Sequence, residues 1–192
     1  MRHGRGFATF HSGGHYIGEY KNGKMHGQGT AVTEGNIVYI GKWINNLANG
    51  QGVILNPDGS YYHGNWLDGK FNGQGTMGSP DGAEYIGDFK NGDFHGQGKY
   101  IWKDGRKYTG EFKAGKKHGQ GKYYVRESLN RYTGEWRDDK IHGKINITIA
   151  NGNLFETTYR EGKRVGKVYE IKSDGSKKEA DMVVLDLILT DF

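Results

Sequence analysis

The sequence contains no cysteine, only two prolines and no long apolar run, and these shortages exclude several classes of protein. Without cysteine, the chain has neither a disulfide framework nor a thiolate metal site. No stretch approaches the ~20 apolar residues of a membrane-spanning helix, and the first residues, MRHGRG, lack the apolar core of a signal peptide. We therefore expect a cytoplasmic protein.

Hydrophobic residues are also scarce, at 34% of the chain, whereas glycine is abundant, with 34 residues among 192. A compact two-layer domain would have little apolar surface to bury on that composition. Disorder does not explain it, because disordered chains are poor in aromatic residues and Phe, Trp and Tyr make up 13% of this chain. An elongated stack of small units, each contacting only its neighbours, fits both observations.

A frame of aromatic-x-Gly-x-aromatic recurs along the chain, and a degenerate copy of it begins at Phe155. The successive spacings are 23, 23, 23, 23, 24 and 23 residues, and the intact frames begin at Tyr16, Tyr39, Tyr62, Tyr85, Tyr108 and Tyr132. A second motif, His/Asn-Gly-Gln-Gly, keeps the same period and begins at His26, Asn49, Asn72, His95 and His118. Self-similarity at a fixed period indicates a repeat array.

Each repeat has the pattern of a β-hairpin. The aromatic residues of a frame such as Tyr62-x-Gly64-x-Trp66 share one face of a strand, because side chains alternate. Dipeptides such as Asn22-Gly23 predict a tight turn with positive φ. Glycine normally weakens a strand, so its recurrence predicts that the aromatic rings of one repeat lie flat over the backbone of the next. The predicted fold class is all-β, an elongated single-layer antiparallel sheet of stacked β-hairpins.

We expect the array to occupy residues 1–175, with about seven repeats of 23 residues of which the first is partial. Residues 176–192 then form a C-terminal segment that contains the most apolar run of the chain. This segment either caps the last repeat or pairs with a second copy or a partner as an exposed strand. The candidate self-association residues are Val183, Leu185, Leu187 and Leu189.

The motifs predict no catalytic, cofactor or metal site. The stretch from Gly18 to Lys24 resembles a phosphate-binding loop but lacks the following Ser or Thr that would hold magnesium. Five histidines share one repeat position about 10 Å apart, which is too far for a common zinc ion; they are His3, His26, His95, His118 and His142. Asn49 and Asn72 replace histidine there, so we expect a structural hydrogen-bonding role. The sequence thus predicts a protein that is not an enzyme.

The combination of Tyr-x-Gly-x-Trp/Phe, Asn-Gly-Lys, His-Gly-Gln-Gly and Asp-Gly at this period resembles the MORN repeat (membrane occupation and recognition nexus), over residues 3–175. The resemblance implies a MORN-repeat solenoid: a single twisted, curved sheet with an aromatic-lined groove. The family includes ciliary spoke-head and cytoskeletal scaffolds, junctional membrane proteins, motor-tail adaptors, and arrays fused to enzymes for which this chain has no room.

The leading functional hypothesis is a non-catalytic scaffold or adaptor that binds a helical or extended protein segment. Aromatic anchors supply much of the affinity in such grooves. The candidate groove residues are Tyr39, Trp43, Tyr62, Trp66, Tyr85, Phe89, Tyr108, Phe112, Tyr132 and Trp136. The alternative explanation of each ring is a place in the core between repeats. The family's uses imply association with the cytoskeleton or a cilium.

The alternative hypothesis is a tether at the membrane periphery that binds acidic phospholipids such as phosphoinositides. Lysine clusters contribute about 1 kcal/mol per residue near an anionic surface, and the candidates are Lys21, Lys24, Lys90, Lys113, Lys116, Lys117 and Lys122. The net charge of +5 is mild, and acidic residues are interleaved with these lysines. A homodimer is a further candidate assembly. We expect no nucleic-acid binding, because the sequence concentrates positive charge on no single face.

Overall fold

The computed structural model describes residues 2–180, which divide into two compact units, residues 2–94 (unit 1) and residues 95–180 (unit 2). Candidate self-association residues Val183, Leu185, Leu187 and Leu189 lie outside the described residues. Among residues 2–180 there are seventeen strands and no helix, so none that could span a membrane.

Unit 1 contains eight strands, each paired antiparallel with the next along the chain. They are β1 Gly4–Thr9, β2 Gly14–Lys21, β3 Lys24–Thr33, β4 Val38–Ile44, β5 Leu47–Leu55, β6 Tyr61–Leu67, β7 Lys70–Gly78 and β8 Glu84–Lys90.

Unit 2 repeats the plan and ends in three short strands, of which β16 pairs with β14 and β17 pairs with β16. The strands are β9 Asp93–Ile101, which begins just before the unit boundary, β10 Lys107–Lys113, β11 Lys116–Tyr124, β12 Arg131–Arg137, β13 Lys140–Thr148, β14 Leu154–Arg160, β15 Lys163–Arg164, β16 Tyr169–Ile171 and β17 Lys177–Glu179. The predicted all-β, single-layer antiparallel arrangement of hairpins is confirmed. The domain boundary at residue 175 stays a prediction.

Each hairpin closes with the predicted turn. Asn22 and Gly23 have φ values of 51° and 78°, and Asp68 and Gly69 have 48° and 79°. Two consecutive positive φ angles define the type I′ turn, whose twist matches that of paired strands. The turn amides also join repeats, as Gly69 N donates to Ala48 O of the preceding repeat at 2.9 Å.

The two glycines of the Gly-Gln-Gly motif have different tasks. Gly73 has a φ of 79° and lies beside a β-bulge, where the pairing of β6 with β7 shifts between Gly64 and Trp66. Gly75 makes room for a ring, since a Cβ built there would lie 2.6 Å from Oη of Tyr62. One glycine therefore permits the bulge, and the other permits a close approach of tyrosine to the backbone.

A continuous row of glycines crosses each unit, and most of its members lie close to a tyrosine ring. Each is directly opposite the next in a neighbouring strand: Gly6, Gly18, Gly29, Gly41, Gly52, Gly64, Gly75 and Gly87 in unit 1, and Gly98, Gly110, Gly121 and Gly134 in unit 2. Tyr62 lies over Gly64 and Gly75 of its own hairpin, and its hydroxyl donates to Asn65 O at 2.7 Å. The prediction that the ring covers the next repeat was therefore wrong, because the tyrosine turns back onto its own return strand.

The second aromatic residue of each frame joins adjacent repeats. The indole of Trp66 contacts Tyr62 of its own repeat and Tyr39 of the preceding one, with ring centroids 5.4 and 5.0 Å apart and planes nearly perpendicular. Its Nε1 donates to Gly52 O at 3.1 Å. Edge-to-face pairs of this kind contribute about 0.5–1.5 kcal/mol beyond their buried area. The core is thus a chain of tyrosine and tryptophan or phenylalanine contacts on one face of the sheet, which we call the core face.

We predict that Gly75→Ala destabilises the fold by about 1–3 kcal/mol, because the new methyl group displaces the ring of Tyr62. The measurement is urea unfolding followed by circular dichroism. Gly35→Ala is the matched control, since the nearest atom to its Cβ would be 3.9 Å away. Equal stability of the two variants would contradict the proposed role of the ring contact.

We also predict that the array unfolds at alkaline pH because its tyrosines are buried. Burial raises the pKa of Tyr16, Tyr39 and Tyr62 from 10.0 to about 12. Their stabilising contribution is complete below pH 10 and is lost as the pH rises toward 12, because the unfolded chain ionises first.

Tyr39→Phe tests this expectation, since it removes both the ionisable group and the hydrogen bond to Lys42 O. Stability at pH 7 should fall by about 1 kcal/mol, but the further loss between pH 10 and 12 should be smaller than in the unsubstituted protein. Tyr124→Phe on the other face is the control. If the stability of Tyr39→Phe fell between pH 10 and 12 as steeply as that of the unsubstituted protein, the prediction would be contradicted.

Candidate functional site

The ten predicted groove aromatics all lie on the core face and are 8% exposed or less. Tyr39, Trp43, Tyr62, Trp66, Tyr85 and Phe89 belong to unit 1, and Tyr108, Phe112, Tyr132 and Trp136 belong to unit 2. Their rings contact one another and the glycine rows, so the structure gives them a packing role. Direct contact between these rings and a partner stays a prediction.

The opposite face of each unit, which we call the open face, carries the side chains that alternate with the core residues. In unit 1 it presents a row of mostly apolar residues, the apolar row, whose members lie opposite one another in adjacent strands: Phe7, Ile17, Thr30, Ile40, Val53, His63, Thr76 and Ile86. Phe7, Ile17, Ile40 and Ile86 are 59, 57, 48 and 42% exposed. Large apolar side chains aligned in this way on a surface indicate an interaction site.

The neighbouring row of the open face extends this apolar surface. Val32, Val38, Leu55 and Tyr61 follow one another across β3 to β6. Between the strands that carry Phe7, Ile17 and Ile40 lies an open depression of about 570 Å³, with glycines on its floor. The open face of unit 1 therefore combines exposed apolar side chains with a concave site.

The same two rows in unit 2 are basic instead of apolar. Lys99, Thr109, Lys122 and Thr133 succeed one another in one row, and Ile101, Lys107, Tyr124 and Arg131 do so in the other. We call Lys99, Lys107, Lys122 and Arg131 the cationic patch. Within residues 2–180, none of these four forms an ion pair.

Six of the seven predicted lipid-contact lysines are exposed. Lys21, Lys24, Lys90, Lys113 and Lys116 lie at hairpin turns, and Lys122 belongs to the cationic patch. The seventh, Lys117, is half-buried on the core face. Sequence analysis did not predict that Lys117 is half-buried. A signal was present, because other repeats carry large apolar residues, such as Met25 and Phe71, at the same position.

Lys117 occupies a box of aromatic rings. Its Nζ lies over Trp136 at 4.5 Å from the ring centroid, and over Tyr123, Trp102 and Tyr108 at 5.3, 5.5 and 5.8 Å. Cation–π attraction favours the charged ammonium, whereas removal from water disfavours it. Burial dominates and lowers the pKa of Lys117, opposed by the nearby Asp139.

At two places in the shared histidine position, the side chain accepts a hydrogen bond from the next hairpin. Asn49 Oδ1 accepts a hydrogen bond from Asp68 N at 3.3 Å, and His142 Nδ1 accepts one from Glu161 N at 3.5 Å. The expected hydrogen-bonding role is confirmed at these two positions, whereas the Nδ1 atoms of His26 and His118 are buried without a hydrogen-bond partner.

The recurring glutamates also accept hydrogen bonds from nearby backbone N–H groups. Glu19 Oε1 accepts from Gln28 N at 3.0 Å, and Glu111 Oε1 accepts from Gln120 N at 2.9 Å, both beside bulges. Residues 2–180 contain no cluster of three or more His, Cys, Asp or Glu side chains that could hold a metal ion.

We predict that Lys117→Met stabilises the protein by about 1 kcal/mol near neutral pH, because methionine removes the desolvated ammonium and keeps the packing. A lowered lysine pKa destabilises the fold fully below that pKa, and the effect vanishes as the pH rises toward 10.5. The advantage of the variant should therefore shrink toward that pH. Urea unfolding measures it, with Lys116→Met as the exposed control; a loss of stability would show that cation–π attraction outweighs burial.

Among curated proteins, none matches the chain significantly. The fold is similar to that of the microcephaly protein CPAP G-box domain, whose structural analysis suggests a role in centriole elongation, at a TM-score of 0.50 and 15% identity over 93% of this chain and 99% of that one. The TCP10 domain of Danio rerio CPAP aligns at a TM-score of 0.34 and 15% identity, over 91% and 99% of the two chains.

The identity to CPAP is too low to indicate more than a shared fold. The MORN repeat, by contrast, matches residues 16–32, 39–61, 62–84, 85–105, 108–124 and 132–144. These segments cover more than half of the sequence and coincide with the hairpins described above. The chain therefore belongs to the MORN repeat family.

Proposed function

We propose that this protein is a non-catalytic scaffold or adaptor that binds an amphipathic helix of a partner protein across the open face of unit 1. Membership of the MORN repeat family supports a non-enzymatic role in protein interaction. The apolar row is the observation that carries the finer proposal, because its exposed Phe and Ile side chains need a partner to cover them.

The hydrogen bonds of the sheet favour a helix over an extended segment on this face. Strands β2 to β7 have a paired neighbour on both sides, so their backbone groups are already satisfied. A partner that crosses them must bind through side chains. A helix suits this geometry, because it satisfies its own backbone hydrogen bonds and presents an apolar stripe.

The dimensions and charges of the face define the helix further. Eight strands spaced about 4.8 Å apart give the apolar row a length of about 34 Å, which matches a helix of about 22 residues. Acidic residues lie in the turns at one end of the strands, at Glu34, Asp58 and Asp81. We expect basic residues on the helix flank that faces these turns.

The setting that we propose is a ciliary, cytoskeletal or membrane-proximal assembly in the cytoplasm, in keeping with other uses of the family. The alternative is a peripheral membrane tether that binds acidic phospholipids. Exposed lysines at the hairpin turns, such as Lys21, Lys24, Lys113 and Lys116, support this alternative. Other hairpin turns carry acidic residues, including Asp68 and Asp93, which weaken the attraction to an anionic surface.

The experiment compares the unsubstituted protein with an Ile17→Asp/Ile40→Asp variant. Partners captured from an extract of ciliated cells are identified, and the segment that binds is then produced in pure form for titration calorimetry. We expect the variant to bind the segment about 100-fold more weakly, because two apolar side chains lose their burial. Thr109→Asp/Thr133→Asp, at the same row in unit 2, is the control and should bind normally.

Both variants change exposed residues, so circular dichroism should show an intact fold. Equal affinity of the Ile17→Asp/Ile40→Asp variant would contradict the proposed face. Failure to bind any isolated segment, together with salt-sensitive binding to phosphoinositide vesicles, would favour the membrane alternative.

A further inference from the structure

The centre of the cationic patch is a threonine surrounded by lysines. Thr109 on β10 lies directly opposite Lys99 on β9 and Lys122 on β11, and Lys107 precedes it by two residues on the same face. Thr109 is exposed, and its hydroxyl can donate a hydrogen bond to an acceptor above the sheet. One hydroxyl and three ammonium groups thus form a subsite for an anion.

A second threonine repeats this arrangement two strands away. Thr133 on β12 lies opposite Lys122 on β11 and Asn146 on β13, and Arg131 precedes it by two residues. The two threonines are about 10 Å apart at two strand spacings. Both of them and Lys122 line an open depression of about 430 Å³. The cationic patch therefore contains two anion subsites that share Lys122.

The glutamates that border these subsites are already engaged. Oε1 of Glu111 accepts a hydrogen bond from Gln120 N at 2.9 Å, and its carboxylate lies beside Gly119, toward the hairpin turn. Oε1 of Glu135 lies 3.6 Å from Nη2 of Arg137. In the described part of the chain, the cations of the patch form no ion pair. The patch thus keeps a positive field that can attract an anionic partner.

We propose that the open face of unit 2 binds an acidic helix of a partner protein. One carboxylate of the helix lies at Thr109, another at Thr133, and a third between them at Lys122. This site is on different residues from the apolar row of unit 1, and it does not depend on the helix proposed there.

The spacing of the two subsites favours a helix over an extended strand. Helix residues i and i+7 share a face and are about 10.5 Å apart, which matches the distance between the threonines. Side chains on one face of an extended strand are about 7 or 13 Å apart. Strands β10, β11 and β12 are also paired on both sides, so they offer no backbone hydrogen bonds to an added strand.

The adjacent row of the open face adds apolar contact. Ile101 and Tyr124 alternate there with Lys107 and Arg131, and the guanidinium of Arg131 lies over the ring of Tyr124 at 6.0 Å. A helix that carries apolar residues beside its acidic stripe can contact both rows. A partner that offers phosphate groups alone would leave these apolar side chains uncovered, so the surface favours a protein segment.

Two synthetic peptides test the proposal with the full chain. Both are alanine-based helices of about 20 residues with the same composition. The aligned peptide has glutamates at i, i+4 and i+7 on one face, whereas the control peptide has them spread around the helix. We expect the aligned peptide to bind at least tenfold more tightly in titration calorimetry at low salt, and added salt should weaken its binding.

Variants of the chain locate the binding site. Lys122→Gln should weaken binding of the aligned peptide about two- to fivefold, the range for one exposed ion pair, and Lys113→Gln at a hairpin turn is its control. Thr109→Val should also weaken binding, whereas Thr76→Val, at the same row in unit 1, should not. The Ile17→Asp/Ile40→Asp variant should bind the aligned peptide normally, so the outcome is independent of the test of unit 1.

Three results would overturn the proposal once circular dichroism shows that the variants are folded. The first is equal or undetectable binding of the two peptides, and the second is an affinity that Lys122→Gln leaves unchanged. The third is tighter binding of phosphoinositide vesicles or of single-stranded DNA than of the aligned peptide. That result would assign the patch to a lipid surface or to nucleic acid.

Discussion

The tyrosine ring that lies over two glycines is the interaction on which the rest of the structure depends. A single-layer sheet has no second layer to cover its apolar face, so each hairpin must cover itself. Tyr62 does so by turning flat onto Gly64 and Gly75 and bonding its hydroxyl to Asn65 O. The abundance of glycine follows directly, because any side chain on that row would lift the ring from the backbone and expose both.

This arrangement separates stability from recognition. The core depends on the aromatic frames and the glycine row, all on one face, whereas the open-face residues project from the opposite side of the sheet. Their identities can therefore change with little effect on the fold. The two units show the result: the position held by Ile17 and Ile40 in unit 1 is held by Thr109 and Thr133 in unit 2.

The repeat period predicted the hairpins, their tight turns with positive φ and the face that carries the aromatic residues, because these features follow from local sequence. It did not predict how the rings lie. Whether Tyr62 stands out into a groove or folds onto its own strand depends on side-chain torsions and on the space above Gly75. The cationic patch was also missed, since Lys99 and Lys122 belong to successive repeats and are aligned only by the register in which β9 and β11 pair with β10. Lys117 was misplaced for a simpler reason, that lysine is usually a surface residue.

The continuous pairing of the strands also limits how such an array can recognise a partner. An extended peptide gains affinity at a sheet edge by completing backbone hydrogen bonds, but the inner strands of unit 1 have none left to offer. Recognition across the face must therefore read side chains at a fixed spacing of about 4.8 Å. A partner is then selected by the order of residues along a row, and the regular core keeps that order in register.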